Sequence, residues 1–314
     1  MHIITGGFGQ VGLYLLKKLL ADREEVLLFD VQPNLPDLEL ICGKDATGRV
    51  QIEIGDLSTP TRFVSTVAAY RPDTIIHLGS VILPASETDA HFAMQQNIGG
   101  MINVLEAARI FGTRRVLYAS APSVFGSPRH HGAGDVVLGD DAPQYPATLY
   151  GISKSANERI AGFYRRTHGV DSIGFRLCQG YGPGKRRGRA FGYQMFENAI
   201  RGLPVTLSYG DDVINWQYIE DIAEIFYRAI SMRHASIDVY NTTGDVVSVT
   251  ETAAIFKRLA PDIDVTVEPG IADIVWRYDV SRLADDVGFT SPTPVSEGFA
   301  KTLETLRKWA RHEG

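Results

Sequence analysis

Short apolar runs alternate along this chain with longer segments whose apolar positions recur every three or four residues. The runs His2-Ile3-Ile4, Glu25–Asp30, Val50–Ile54, Thr74–Leu78, Arg115–Ser120 and Ser172–Leu177 read as strands. Between them Val11–Ala21, Thr61–Tyr70, Asn97–Phe111 and Tyr150–His168 read as helices, the third with Val104, Leu105, Ala108 and Phe111 at helical spacing. Thr74–Leu78 is a continuous, largely apolar run, as in a sheet covered on both faces. Strand–helix alternation predicts an α/β fold, a Rossmann-type doubly wound parallel sheet. The second half is less regular. Gly180–Arg189 reads as a glycine-rich basic loop, Phe191–Arg201, Thr250–Leu259 and Val295–Ala310 as helices, and Asp238–Thr242 as a strand. The predicted division is a larger domain over 1–178, completed by part of 211–245. A smaller C-terminal substrate domain, from 179–210 and 246–314, lies over the carboxyl edge of the sheet.

Two motifs occupy the ends of predicted strands. Thr5-Gly6-Gly7-Phe8-Gly9-Gln10-Val11-Gly12 joins the first strand to the first helix. Gly6 permits a tight turn, Gly9 lets backbone approach a pyrophosphate, and Gly12 allows the helix to pack close to the strand. The helix N-terminus then points its amides at the phosphates. The second strand ends in Asp30, whose carboxylate suits ribose hydroxyls and repels a 2′-phosphate, so NAD is expected over NADP. Gly6, Phe8, Gly9, Gln10, Val11, Gly12 and Asp30 form the cofactor-binding set at this end. The second motif is Tyr150-Gly151-Ile152-Ser153-Lys154. A lysine four residues after a tyrosine shares its helical face. Its charge, with that of an oxidised nicotinamide, would lower the phenol pKa. Tyr150 would then exchange a proton with a substrate hydroxyl while hydride moves at the same carbon.

Composition narrows the class. With 314 residues, 44% of them hydrophobic, the chain can bury a large core, and a net charge of −6 argues against a general nucleic-acid binder. Two cysteines, Cys42 and Cys178, make neither a disulfide framework nor a metal pattern, and no metal is expected. His130-His131 is read as part of a surface loop. No apolar run reaches membrane-spanning length, and a strand beginning at residue 2 leaves no room for a signal peptide. A cytoplasmic enzyme with a small-molecule substrate, and neither nucleic acid nor membrane as partner, is the expectation.

The chain resembles the extended short-chain dehydrogenase/reductase family, of NAD-dependent epimerase/dehydratase type. The likeness rests on Gly6-x-x-Gly9-x-x-Gly12, Asp30, Asp56-Leu57, His77-Leu78-Gly79, Asn97, Ser120 to Gly126, Tyr150-x-x-x-Lys154 and Tyr181-Gly182-Pro183-Gly184, with Tyr218-x-x-x-Asp221 beyond. The resemblance implies that Asp56 and Leu57 meet the adenine and that Leu78, Gly79 and Ser80 line the middle of the cofactor. It implies that Asn97 supports the helix carrying Tyr150 and Lys154, which also contact the cofactor. It further implies a homodimer built by packing Asn97–Phe111 and Tyr150–His168 against their copies.

Departures from that family bear on the substrate. Ala121 stands where the family carries a catalytic Ser or Thr; Ser123 is the preferred substitute and Ser120 the other candidate. Gln179 replaces an Asn before Tyr-Gly-Pro. Ile214 and Glu268 stand where nucleotide-sugar members carry arginines for a diphosphate, and neither offers a guanidinium fork. The basic loop Lys185–Arg189, with Arg186 in it, is an alternative anion site, and Gln179, Arg186 and Trp216 are the substrate-binding candidates; Tyr218 is a further candidate pocket wall. Gly9-Gln10-Val11-Gly12 is similar to the glycine motif of members acting on free sugar acids or threonine. The reading is an NAD-dependent oxidoreductase of a small polyol, sugar acid or hydroxy acid. A nucleotide-sugar epimerase or dehydratase with retained NAD is the second possibility, and a non-catalytic NAD(H)-binding regulator the third.

Overall fold

The computed structural model describes residues 1–132, 135–186 and 192–312. The first half alternates β1 (His2–Thr5), α1 (Gln10–Ala21), β2 (Val26–Asp30), α2 (Leu35–Cys42), β3 (Gln51–Ile54), α3 (Pro60–Tyr70) and β4 (Thr74–His77). Two short helices, α4 (Ala85–Thr88) and α5 (Ala90–Met94), lead through a π turn into α6 (Gly100–Phe111), then β5 (Arg115–Ser120). Next come β6 (Val137–Leu138), α7 (Leu149–His168), β7 (Ser172–Arg176), β8 (Gln179–Tyr181), α8 (Gln194–Ile200), β9 (Val205–Leu207), β10 (Val213–Tyr218) and α9 (Ile219–Ser231). The chain ends with β11 (Val239–Asn241), β12 (Asp245–Ser248), α10 (Val249–Leu259), β13 (Val265–Val267), β14 (Arg277–Tyr278), α11 (Ser281–Val287) and α12 (Val295–His312).

The central sheet has seven parallel strands in the order β11-β7-β5-β4-β1-β2-β3. Successive side chains of a strand point to opposite faces, and here both faces are buried. Ile4, Leu28, Ile76 and Leu117 enter one apolar cluster with α1 and α9. Ile3, Leu27, Ile75 and Val116 enter a second with α3, α6 and the far end of α7. The strand order turns back at β1, between β2 and β4, which opens a crevice at the carboxyl ends.

Three differences from the sequence reading have physical causes. Part of the Gly180–Arg189 segment is a strand, since β8 pairs with Trp216–Tyr218 of β10, a partner local composition does not reveal. The helix expected from Asn97 to Phe111 has a wider π turn over Gln95–Gly99. There Asn97 bonds both main-chain groups of Val81. The second half also carries small sheets, β12-β10-β8, β13-β9 and β14-β6, around an aromatic core. In that core Trp216 is wholly buried, stands edge-on to Tyr181 and Phe299, and donates its indole N–H to Thr252 Oγ1 at 3.1 Å. Trp216 is therefore a core residue, and the expectation that it walls the substrate pocket is corrected. Tyr218, also buried, packs on Tyr181 in the same core.

Candidate active site

The glycine turn is packed too tightly for side chains at Gly6, Gly7 and Gly12. Gly6 has φ +65°, and a Cβ there would lie 2.6 Å from the Gly79 nitrogen. A Cβ on Gly12 would lie 2.5 Å from the Gly7 carbonyl oxygen. The turn after β1 thus meets the turn after β4 directly. No side chain caps the N-terminus of α1, so its first amides face the crevice. That glycine-lined, uncapped N-terminus fits a pyrophosphate. The Gln10 side chain, expected at the cofactor, instead donates to the carbonyls of Gly182 (2.8 Å) and Pro183 (2.9 Å). It ties the glycine turn to the Tyr181-Gly182-Pro183-Gly184 turn.

Asp30 closes the crevice on the β2 side. Its Oδ2 accepts from the Phe8 amide at 3.1 Å and its Oδ1 from the Val31 amide at 2.8 Å. Asp56, after β3, accepts from the Ser58 amide and hydroxyl and from Gln96 Nε2. Burial pushes this carboxyl up, but those hydrogen bonds outweigh it and hold the group below its usual value. Leu57 is buried, with a methyl 2.9 Å from where a Gly79 Cβ would stand. Val11 and Leu78 are half-buried beside the larger apolar cluster.

On the other side stands the Tyr150 helix. Thr148 Oγ1 accepts from the Gly151 amide at 3.0 Å, and the Glu87 carboxylate accepts from the amides of Leu149 and Tyr150, both at 3.2 Å. Asn97 ties the loop after β4 to this helix. It accepts from Ser80 Oγ and the Val81 amide and donates to Ser153 Oγ, which donates to the Tyr150 carbonyl. Asn157 Nδ2 bonds the Asn97 carbonyl from one turn further along. Asn97 therefore joins the loop after β4 to the helix that carries Tyr150 and Lys154.

Lys154 is buried, its Nζ 5.4 Å from the centre of the Tyr150 ring and donating to the Ala119 carbonyl at 2.8 Å. Burial lowers this ammonium to about 8, with Glu158 acting in the opposite direction. Burial raises the Tyr150 phenol well above its ordinary value. A phenol acidified by its lysine, as the spacing suggested, is not what the protein alone displays. His77, behind the glycine turn, is pushed down to about 3 by burial and then by the Lys154 charge.

The two serine candidates separate. Ser120 donates to Glu158 Oε1 at 2.5 Å, inside a buried ion pair. That commitment removes it from the crevice and corrects its assignment as a catalytic hydroxyl. Ser123 lies in a short 3-10 turn over Pro122–Val124. Its buried Oγ has no hydrogen-bond partner, and its carbonyl stands 2.6 Å from a Cβ built on Gly151, beside Tyr150.

The basic loop is partly accounted for. Arg186 forks onto Asp37 of α2 at 2.7 and 2.9 Å, so this guanidinium is turned to α2. Lys185 bonds the Gly180 carbonyl and is lowered to about 8 by burial. Arg187 and Arg189 lie outside the described residues. Gln179 is half-buried in β8, its amide nitrogen 2.2 Å from where a Gly192 Cβ would stand. Ile214 is buried, and Glu268 is exposed, accepting from Ser208 Oγ. His130 is exposed and stacks on Tyr145. Among the described residues no three His, Cys, Asp or Glu side chains gather to hold a metal, and no helix is long and apolar enough to cross a membrane.

Sequence reasoning missed Glu87 and Glu158. Glu87 has no local signal, because it lies 62 residues before the Leu149 amide it bonds. Glu158 had one: an acid four residues after Lys154, on the same helical face.

A model of the NAD dependent epimerase/dehydratase family matches residues 2–242. The chain belongs to that family. Its members are enzymes, and NAD is the cofactor that the glycine turn and Asp30 fit. The UDP-glucose 4-epimerase of Mycolicibacterium smegmatis is 28% identical over 97% of this chain and 98% of its own. The structure of MoeE5 in complex with UDP-glucuronic acid and NAD is 25% identical, with TM-score 0.83 over 98% of this chain and 99% of that one. The L-threonine dehydrogenase from Clostridium difficile is 23% identical, with TM-score 0.84 over 98% of both chains, a likeness of fold.

Proposed function

We propose that this enzyme is an NAD-dependent oxidoreductase acting on a secondary alcohol of a small polyol, sugar acid or hydroxy acid. The observation that carries the reading is Ile214, buried in β10 at the position where the family resemblance leads one to expect the arginine of nucleotide-sugar members. Ile214 enters the same apolar cluster as Trp216, so this position offers a diphosphate no guanidinium fork, and an unpaired buried anion is costly. Glu268 adds no cation, and Arg186 is bound to Asp37. In this reading Tyr150 exchanges the proton of the substrate hydroxyl, and Ser123, with its unpartnered Oγ, holds the substrate oxygen. Lys154 supplies positive charge beside the phenol. When bound, NAD supplies the hydride acceptor. Gln179 is assigned to the substrate because it opens β8, three residues past the end of β7.

The larger NAD-binding domain comprises 1–178 with part of 211–245, and β11 extends it beside β7. The remainder forms the smaller substrate domain. We assign a homodimer, supported by apolar side chains left exposed on the two long helices, Ile102 and Ile110 of α6 and Ile152 and Phe163 of α7. Two free thiols, Cys42 and Cys178, suit a reducing cytoplasm.

A nucleotide-sugar epimerase that recycles its NAD is the second reading, supported by the full-length likeness to UDP-glucose 4-epimerase. An absorbance screen for NADH across free sugars, sugar acids, hydroxy acids and nucleotide sugars separates the two. Net NADH from a small acid or polyol, with no micromolar affinity for uridine diphosphate by calorimetry, is the expected result. Micromolar diphosphate binding, lost on replacing Arg186 and Arg187 with alanine, would establish the epimerase instead.

A further inference from the structure

Tyr150, Lys154 and Glu158 follow one another at four-residue steps along one face of α7. The Glu158 side chain is buried, and its carboxylate is fully used. Oε1 accepts from Ser120 Oγ at 2.5 Å and from Arg176 Nε at 2.8 Å. Oε2 accepts from Arg176 Nη2 at 2.8 Å and from Gln144 Nε2 at 2.5 Å. Arg176, equally buried at the end of β7, also donates to the Asp140 carbonyl and to Asn241 Oδ1. This pair thus joins α7 to the carboxyl ends of β5 and β7, to the segment around Asp140 and Gln144, and to β11.

Stability alone does not explain an ion pair here. Desolvating two charges costs several kcal/mol per ion, and well-packed apolar residues often serve as well or better. The position along the helix suggests another reason. Lys154 bonds the Ala119 carbonyl and Glu158 bonds Ser120, so two successive turns of α7 grip two successive residues of β5. Around the ammonium stand Tyr150 and Glu158 from its own helix and the uncharged imidazole of His77 from β4, while Arg176 of β7 lies behind Glu158. Among the described residues Glu158 is the charge that favours the ammonium over the amine.

We propose that Glu158 is a positioning residue of the active site: its buried carboxylate holds Lys154 charged and sets the depth of the Tyr150 helix against β5. The inference rests on the reading of Tyr150 and Lys154 as the acid–base pair and cofactor contact. Glu158 touches neither substrate nor cofactor in it; it acts through Lys154.

The test is NADH binding by fluorescence from neutral to alkaline pH, which needs no substrate. The wild-type enzyme is expected to lose affinity with a midpoint at about 8, as Lys154 gives up its proton. Lys154→Met should abolish that alkaline limb. The double variant Glu158→Gln with Arg176→Met removes both buried charges and keeps the side-chain bulk. Its limb should move acidward, because the carboxylate that opposes the effect of burial on Lys154 is gone. A folded double variant with the wild-type midpoint would overturn the proposal and leave the role of Lys154 standing. An alkaline limb that survives in Lys154→Met would overturn both. Should the double variant fail to fold, Glu158→Asp withdraws the charge by one methylene. A smaller acidward shift is then expected, and an unmoved limb counts against the proposal.

Discussion

Lys154 lies 5.4 Å from the centre of the Tyr150 ring, yet its hydrogen bond goes to the Ala119 carbonyl of β5. The lysine is therefore held by the sheet and presented to the tyrosine. Burial raises the phenol and lowers the ammonium, so each group is moved toward its neutral form.

The first prediction is a pH effect of opposite sign on stability and on binding. The folded chain releases the Lys154 proton at about 8, against 10.5 for an ordinary lysine. Between those values the unfolded chain holds more protons, so this group makes stability rise with pH, and its burial penalty is full below about 8. Thermal melts of the wild type and Lys154→Met should differ most at neutral pH, with the variant more stable. The difference should shrink above about 8, where wild-type NADH affinity is expected to fall.

Tyr150→Phe should keep NAD affinity and lower turnover by about 10²- to 10⁴-fold, the range of a general acid–base group. Ser123→Ala should lower kcat by roughly 10²-fold, like loss of one donor to a developing oxyanion. Ser120→Ala should affect kcat far less and stability more, because its hydroxyl serves Glu158. Steady-state rates and melts of the three variants, on a substrate from the NADH screen, check this ordering.

Asp30 is proposed to select NAD over NADP. Asp30→Ala should weaken NAD by about 10- to 100-fold, the equivalent of a charged hydrogen bond at roughly 1.5–3 kcal/mol. The same change removes the charge that opposes a 2′-phosphate, so the NAD/NADP affinity ratio should fall. Calorimetric titration with both cofactors measures it. An unchanged ratio would separate Asp30 from the ribose.

Trp216→Ala should destabilise the fold by about 3–5 kcal/mol, the cost of emptying a packed aromatic site. The indole's partners Thr252, Tyr181 and Phe299 are all core residues. Urea unfolding should show a lower midpoint, while KM in the folded fraction stays near wild type. A raised KM with little loss of stability would return Trp216 to the substrate pocket.

What the sequence determined by itself is local. Apolar runs of strand length alternating with helical periodicity are enough for the parallel sheet, because a strand buried on both faces carries apolar residues at successive positions, as Ile3 and Ile4 do. The glycine turn and the Tyr150–Lys154 spacing are likewise legible, since each lies within one turn or one helix. The tertiary structure decided everything that depends on a distant partner. Ser120 and Ser123 are three residues apart and alike in chemistry. One is claimed by Glu158, 38 residues away, and the other is left without a bond. Arg186 reads as an anion site, and only the fold brings Asp37, 149 residues earlier, to its fork. Trp216 reads as a pocket wall until β8 and α12 close over it. Hydrogen bonds and burial are satisfied by whichever group the fold brings within reach, and sequence separation carries no information about that reach.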